Sequence, residues 1–246
     1  MDFKARLFYE EPCVRVLVAD PCLIQINKVG KALISTLQRT KIMTAWKEVH
    51  KRNPNAFAGP TVRMIDWDDR GEILRINVAA SNYKEAMVIG WLGVAMVPVT
   101  SDGYVALQAP VDRIAATVGH GIRVPGCTLP HTDFFPHIIT EMKEEFNVEV
   151  GPKQLVTVGL VEVRPPLARF HHALIVKVTL KETFRQLKAK WKKAKDKWEG
   201  EILPFKLTAG NVIQAMFFEQ PGVYGPVTPV AIYLVAKEMM SGVKVS

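Results

Sequence analysis

Cysteine is scarce in this chain. The three present, Cys13, Cys22 and Cys127, form no C-x-x-C pair. So odd and sparse a set argues against a disulfide framework and reads as reduced thiols in a cytoplasmic protein. Long apolar runs are missing as well. The longest, Ala86 to Val99, spans 14 residues and is broken by Gly90, Gly93 and Pro98, too short to cross a bilayer, so no membrane partner is expected. The opening MDFKARLFYEEP carries acids and no apolar h-region, so a signal peptide is not expected. No segment is of low complexity and no internal repeat is visible. A G-x4-GK-[ST] loop is absent, which removes P-loop phosphate binding. So is G-x-S-x-G, the usual elbow of a serine hydrolase.

What is there suits a folded chain with a sizeable core. Of 246 residues, 48% are hydrophobic and 23% charged, and the mean hydropathy is +0.08. The formal net charge is +8 and the pI about 9.4. A basic balance favours anionic partners such as nucleotides, nucleic acid or acidic lipid.

The pattern predicts strands at Val14–Val18 and Leu23–Ile26, then a helix over Ile42–Lys51 that stops before Asn53-Pro54. Thr61–Asp66 and Glu72–Val78 alternate as strands around Asp68-Asp69-Arg70-Gly71. Asn82-Tyr83-Lys84-Glu85 reads as a polar break, and a domain boundary is placed there, dividing 1–84 from 85–246. Beyond it, two strands flank the turn Ser101-Asp102-Gly103, and Gly119 and Gly121 lie in a loop. Strands are expected at Leu155–Val163 and Ala173–Leu180, and extended chain at Ile202–Leu207. Helices are expected over Lys181–Trp198, Ala209–Phe217 and Pro229–Met240. The order of elements implies a layered α/β or α+β fold.

One segment stands out, PGCTLPHTDFFPHIITEMKEEFNVEV, Pro125 to Val150. Thr132 or Asp133 is placed to cap a helix, with Pro136 in its first turn. Glu141, Glu144 and Glu145 then fall within an arc of roughly 100°, with Met142 and Ile139 turned to a core. Like charges at these spacings repel, and the C-terminal half of a helix disfavours anions. The bland reading is a solvated acidic face eased by Lys143. The functional one is a set of hard oxygen ligands for Mg²⁺ or Mn²⁺.

The segment resembles the Nudix box, G-x5-E-x7-R-E-U-x-E-E-x-G-U. From Gly126 the register runs without a gap through Glu141, Met142, Glu144, Glu145 and Val148. Thr132 stands where the family has Glu, Thr140 where it has Arg, and Asn147 where it has Gly. Asn is the next best residue at a left-handed helix stop. Further stretches resemble the Nudix proteins that cleave UDP-sugars: Trp46, Asn53-Pro54, Phe57, Gly59-Pro60, Arg63 and Tyr83-Lys84 before the box, and Asp196-Lys197-Trp198-Glu199 after it. That group usually has Arg-Ser after the second hairpin strand, where this chain has Ala109-Pro110-Val111.

The resemblance implies a Nudix α/β/α sandwich with a mixed sheet, preceded by a small α+β module. It implies Glu141, Glu144 and Glu145 as catalytic residues and ligands of Mg²⁺ or Mn²⁺, with Gly126, Trp198 and Glu199 contacting substrate. The implied reaction is hydrolysis of a nucleoside diphosphate derivative, such as a UDP-sugar to UMP and a sugar 1-phosphate. A second reading is a degenerate Nudix-fold nucleotide-binding or regulatory protein with little or no turnover, which Thr132, Thr140 and the missing Arg-Ser pair favour. A homodimer is left open.

The stretch Lys188–Lys197 carries six lysines and only Asp196 against them, with Trp191 and Trp198 interleaved. It reads as a funnel for phosphate or a nucleic-acid face, or more simply as an amphipathic helix with Leu187, Trp191, Ala194 and Trp198 inward; nucleic acid is not the expected partner. His137, one turn before Glu141, is placed either to reach a phosphate or simply to be hydrogen-bonded, beside His131. His171-His172 lacks zinc-like spacing to other ligands. Glu219 reads as a surface acid rather than a loop ligand.

Overall fold

A computed structural model describes residues 14–19, 23–52, 54, 56–70, 73–111, 121–164, 171–217 and 223–241. Cys13, Cys22, Asn53, Gly71, Glu72, Gly119 and Glu219, singled out above, lie outside the described residues. In chain order the elements are β1 (Val14–Val18), β2 (Leu23–Lys31), α1 (Thr36–Arg52), β3 (Pro60–Asp68), β4 (Ile73–Asn82), α2 (Tyr83–Ile89), β5 (Leu92–Val99) and β6 (Tyr104–Pro110). They continue with β7 (Gly126–Thr128), α3 (Phe134–Phe146), β8 (Leu155–Val163), β9 (His171–Thr179), α4 (Phe184–Trp191), β10 (Gly200–Lys206), α5 (Ala209–Phe217) and α6 (Val227–Ser241).

The strands form two sheets. The smaller runs β2-β4-β3, with β2 parallel and β3 antiparallel to β4. The larger runs β1-β8-β9-β5-β6-β10, with β7 paired to β5 off that path. Only the β5–β9 pair in it is parallel, so the fold is mixed α/β with a mixed sheet. Residue 84, the expected boundary, falls in the first turn of α2. β1 lies before it in sequence yet completes the edge of the larger sheet through β8.

β5 is buried at every position, LGVAMVPV, because both faces of the sheet are covered. Leu92, Val94 and Met96 join one core with Ile138, Met142 and Phe146 of α3 and with Leu74, Ile76 and Val78 of the small sheet. Ala95, Val97 and Val99 join a second core with Ala231, Ile232, Leu234 and Val235 of α6. A strand buried on both faces has no polar alternation to show, which is why this region reads as one apolar run.

The middle of the sheet is splayed. β5 and β6 meet only at Val99 and Val105. Into the gap runs the chain before α3: Met96 N donates to Pro125 O at 2.8 Å, and Gln108 N donates to Arg123 O at 2.7 Å. Gly126–Thr128 then pairs with Gly93–Ala95. The backbone N–H groups of alternate residues point to the same side of a strand, so after Met96 the next donor facing the gap belongs to residue 98. That residue is Pro98, which has none to leave unpaired. The hairpin closes beyond it through Thr100 N to Tyr104 O, 2.8 Å. Asp102 in the turn accepts from Thr100 Oγ1 at 2.6 Å and from Phe184 N at 3.0 Å, which fastens the start of α4 to the hairpin.

Helix α1 begins at Thr36, six residues before the expected start, β2 runs on to Lys31, and β7 adds a short strand, while two further departures have a visible local cause. Asn82-Tyr83-Lys84-Glu85 opens helix α2 instead of breaking the chain, because the Asn82 side chain accepts from Glu85 N at 3.0 Å and caps it. The helix expected over Lys181–Trp198 is continuous only from Phe184 to Trp191. It begins late because Thr183 caps it through Gln186 N. It ends early because the chain turns back, so that Asp196 N reaches Glu144 O at 3.0 Å. The core spacing foreseen for Leu187 and Ala194 holds, since both are buried, whereas Trp198 is 45% exposed. Among the described residues no helix is long and apolar enough to cross a membrane.

α3 packs through Phe134, Ile138, Met142 and Phe146, an i, i+4 column in which each side chain contributes about 1.5–3 kcal/mol by leaving water. Asp133 holds the cap position but makes no side-chain cap bond. The helix ends on Asn147, at φ 55° and ψ 39°, the one left-handed non-glycine among the described residues. Asn147 N donates to Lys143 O and Val148 N to Met142 O, satisfying terminal carbonyls. A β-branched side chain in that conformation costs about 1–2 kcal/mol. Asn147→Val is therefore expected to lower unfolding free energy by about that amount in urea melts, with Asn147→Gly close to wild type.

Candidate functional site

α3 presents three parallel columns. His137, Glu141 and Glu145 follow one another at i, i+4 spacing directly beside the buried 134-138-142-146 column. Thr140 and Glu144 form the next column outward. Burial across the roughly 100° arc of the three glutamates therefore changes steeply. Glu145 is 3% exposed, while the side chains of Glu141 and Glu144 keep 21% and 32% of their surface.

Glu145 sits against β6. Gln108 Nε2 donates to Glu145 Oε2 at 2.9 Å. Burial, then the charges of Glu199 and Glu141, hold the Glu145 carboxyl well above its ordinary range, while Arg123 and Gln108 oppose the rise. Glu141 is pushed up to about 7 by burial first, then by Glu144, Glu199 and Asp196. Glu199 enters from the turn after α4, its carboxylate 3.5 Å from the Arg123 guanidinium. Burial pulls the Arg123 pKa down, against the attraction of Glu199 and Glu145.

Glu144 faces the other way. Lys195 Nζ donates to Glu144 Oε1 at 2.5 Å, and the same turn is fixed to the backbone of Glu144 by Asp196 N. Thr140 turns its hydroxyl onto Pro136 O at 3.0 Å, and among the described residues it makes no hydrogen bond to an acid. Trp198 Nε1 donates to Asp196 Oδ1 at 3.1 Å.

Of the expected site residues, Glu141, Glu145 and Glu199 share one electrostatic neighbourhood. Gly126 lies on β7, where a Cβ would stand 2.5 Å from Val94 O. Only glycine lets the loop enter the sheet so closely. Gln108 and Arg123 were not singled out from the sequence, because neither belongs to a motif. The hairpin pattern places Gln108 on a strand, but nothing in it says that its amide faces a carboxyl. The donors' chemistry suits a hard cation in kind: carboxylate oxygens that raise one another's pKa, and Gln108 Oε1 buried with no hydrogen-bond partner among the described residues.

The other histidines and several lysines have local partners. The ring of His171 stacks on Trp91, 4.5 Å between centroids at 2°. His172 lies 3.5 Å from Glu162, and burial lowers its pKa to about 4 against the pull of that carboxylate. Lys188 and Lys190 pair with Glu201 and Glu182, so part of the lysine stretch is neutralised within the protein. A separate cleft of 640 Å³, lined by Lys31, Arg39, Met43, Lys84 and Glu85 among others, lies between α1 and α2 away from the carboxylates.

The raised Glu141 pKa has a stability consequence. Between the ordinary value of 4.5 and about 7 the folded chain binds this proton more tightly than the unfolded one. The stability so contributed is complete below 4.5 and is lost as pH rises through 7. Glu141→Gln removes the penalty of ionisation. Without divalent ions it is expected to unfold later than wild type at pH 8 by about 1–2 kcal/mol, after discounting for solvent screening of this partly exposed group. At pH 4.5 no gain is expected. Chemical denaturation at the two pH values measures the difference.

A scan of protein-family models finds no match to this chain, and a search among curated proteins finds none either.

Proposed function

We propose that the protein is a metal-dependent hydrolase of the Nudix type, cleaving the diphosphate of a nucleoside diphosphate derivative such as a UDP-sugar. One observation carries the reading: Glu141 and Glu145, from the segment that resembles the Nudix box, share an electrostatic neighbourhood with Glu199 beside a loop threaded into the open sheet. The layered arrangement, with helices on both faces of a mixed sheet, suits a Nudix sandwich.

In this reading Glu141 and Glu145, joined by Glu199, hold Mg²⁺ or Mn²⁺. When bound, such an ion neutralises phosphate charge and acidifies water. The residues then divide the work. Glu145, sealed against Gln108, holds its oxygens in fixed directions. Glu141, more exposed, orients the attacking water and takes up its proton. Arg123 limits the repulsion between Glu199 and the ligand pair. Gly126 keeps backbone close to the phosphates, and the partly exposed Trp198 supplies an aromatic side chain for a base or sugar ring.

A second reading, a nucleotide-binding protein of this fold with little or no turnover, is favoured by the engagement of Glu144 with Lys195, which occupies one acid of the set, and by the unbraced Thr140. One experiment separates the two. With Mg²⁺ and UDP-glucose, UMP release is expected from the wild type. It should fall at least about 100-fold in Glu145→Gln, and by less in Glu144→Gln, whose carboxylate already has a cation. Calorimetric binding without UMP in either Mg²⁺ or Mn²⁺ selects the second reading. Turnover that survives Glu145→Gln removes this site.

A further inference from the structure

The column that supplies Glu141 also supplies a different set of donors. One turn before it stands His137, and across from both, on β7, stands Cys127. The ligating atoms of Cys127, His137 and Glu141 all lie within 4.8 Å of one another. We propose that these three side chains form a site for a borderline transition-metal ion of the Zn²⁺ class, distinct in ligand chemistry from the all-carboxylate site. This inference uses the position of Glu141 but not the diphosphatase reading.

The geometry favours such an ion. Residues at i and i+4 of a helix offer two ligands on one side, and here His137 Nε2 is 3.5 Å from Glu141 Oε1. The edge of a tetrahedron with bonds of about 2.0–2.1 Å is about 3.3 Å, so this pair needs almost no movement. The third ligand, from a strand, closes the face and leaves a fourth position open, as in zinc sites that bind solvent or substrate.

The histidine is already set as a ligand. Its Nε2 is buried and has no hydrogen-bond partner among the described residues, yet it lies 3.5 Å from Glu141 Oε1. A buried ring nitrogen without a partner carries a desolvation cost that a bound cation would remove.

The thiol distinguishes the ion. Mg²⁺ takes oxygen ligands, whereas Zn²⁺ and Co²⁺ accept sulfur and imidazole. Burial and the charges of Glu141 and Glu145 raise the Cys127 pKa, so the thiol is protonated in the metal-free protein. On binding, the S–H proton leaves to solvent as the sulfur–metal bond forms, and one proton is released per ion. Both ion classes draw on Glu141, but sulfur and imidazole favour the borderline ion strongly enough that Mg²⁺ does not displace it.

The test uses Co²⁺ as the probe, added to the full chain without nucleotide. One Co²⁺ per chain is expected, with a near-ultraviolet thiolate-to-cobalt charge-transfer band that one equivalent of Zn²⁺ abolishes and a large excess of Mg²⁺ does not. The band should vanish in Cys127→Ser. In His137→Gln affinity should fall at least about tenfold, and Glu144→Gln should match wild type, with circular dichroism showing each variant folded. No band in the wild type overturns the proposal, as does a band that persists in Cys127→Ser, since Cys13 or Cys22 then supplies the sulfur. If Cys127→Ser does not fold, unchanged affinity in His137→Gln overturns it alone. UMP release is not read here, so the two proposals fail separately.

Discussion

Burial of the Glu145 carboxyl between α3 and β6 is the constraint around which the centre of this molecule is arranged. A carboxylate taken out of water without compensation costs several kcal/mol. Gln108 gives it one hydrogen bond, and Arg123 lies close enough to lower its pKa. Each partner depends on the splay of the sheet. β6 has to part from β5 for the chain carrying Arg123 and Gly126 to enter, and Pro98 stands where a donor facing that gap would go unpaired. The small clearance above Gly126 belongs to the same arrangement, because the loop enters against the backbone of Val94.

The arrangement keeps polar chemistry at the edge of a dry core. One column of α3 is wholly apolar and buried, the adjacent column carries His137, Glu141 and Glu145, and the third meets solvent and Lys195. Stability comes from the first column and the second works against it, since its acids repel one another and hold a proton that water would otherwise take. A fold tolerates such a local cost where neighbouring packing is strong, and here Phe146, Met142 and Ile138 are fully buried beside it. The second column also faces two kinds of donor set, oxygen from the carboxylates and sulfur and nitrogen from Cys127 and His137. Glu141 is common to both, so the identity of an ion there would depend on which neighbours close around it.

Much of the secondary structure was legible in the sequence, because the elements carry their own periodicity or punctuation. The hairpin at Ser101-Asp102-Gly103, the helix over Ala209–Phe217 and the strand Leu155–Val163 fall where pattern puts them. The departures were set by contacts outside the pattern. The lysine-rich helix stops at Trp191 because the chain folds back to Glu144, and the Asn82 break is a helix cap because its side chain finds Glu85 N. Within the candidate site, spacing grouped Glu141, Glu144 and Glu145 on one arc, and it gave no way to know that a core edge cuts through that arc.

The amino-acid sequence by itself determined that a helix would present these acids together, that Asn147 would end it in a left-handed turn, and that an apolar strand would lie at the centre, since each depends on residue type and short spacing alone. The tertiary structure alone decided which acid is sealed and which is paired with lysine, and that Gln108, Arg123, Cys127 and Glu199 meet the helix. Those outcomes depend on how far apart two strands splay and on which segment fills the space between them, and no local rule of chain geometry carries that distance.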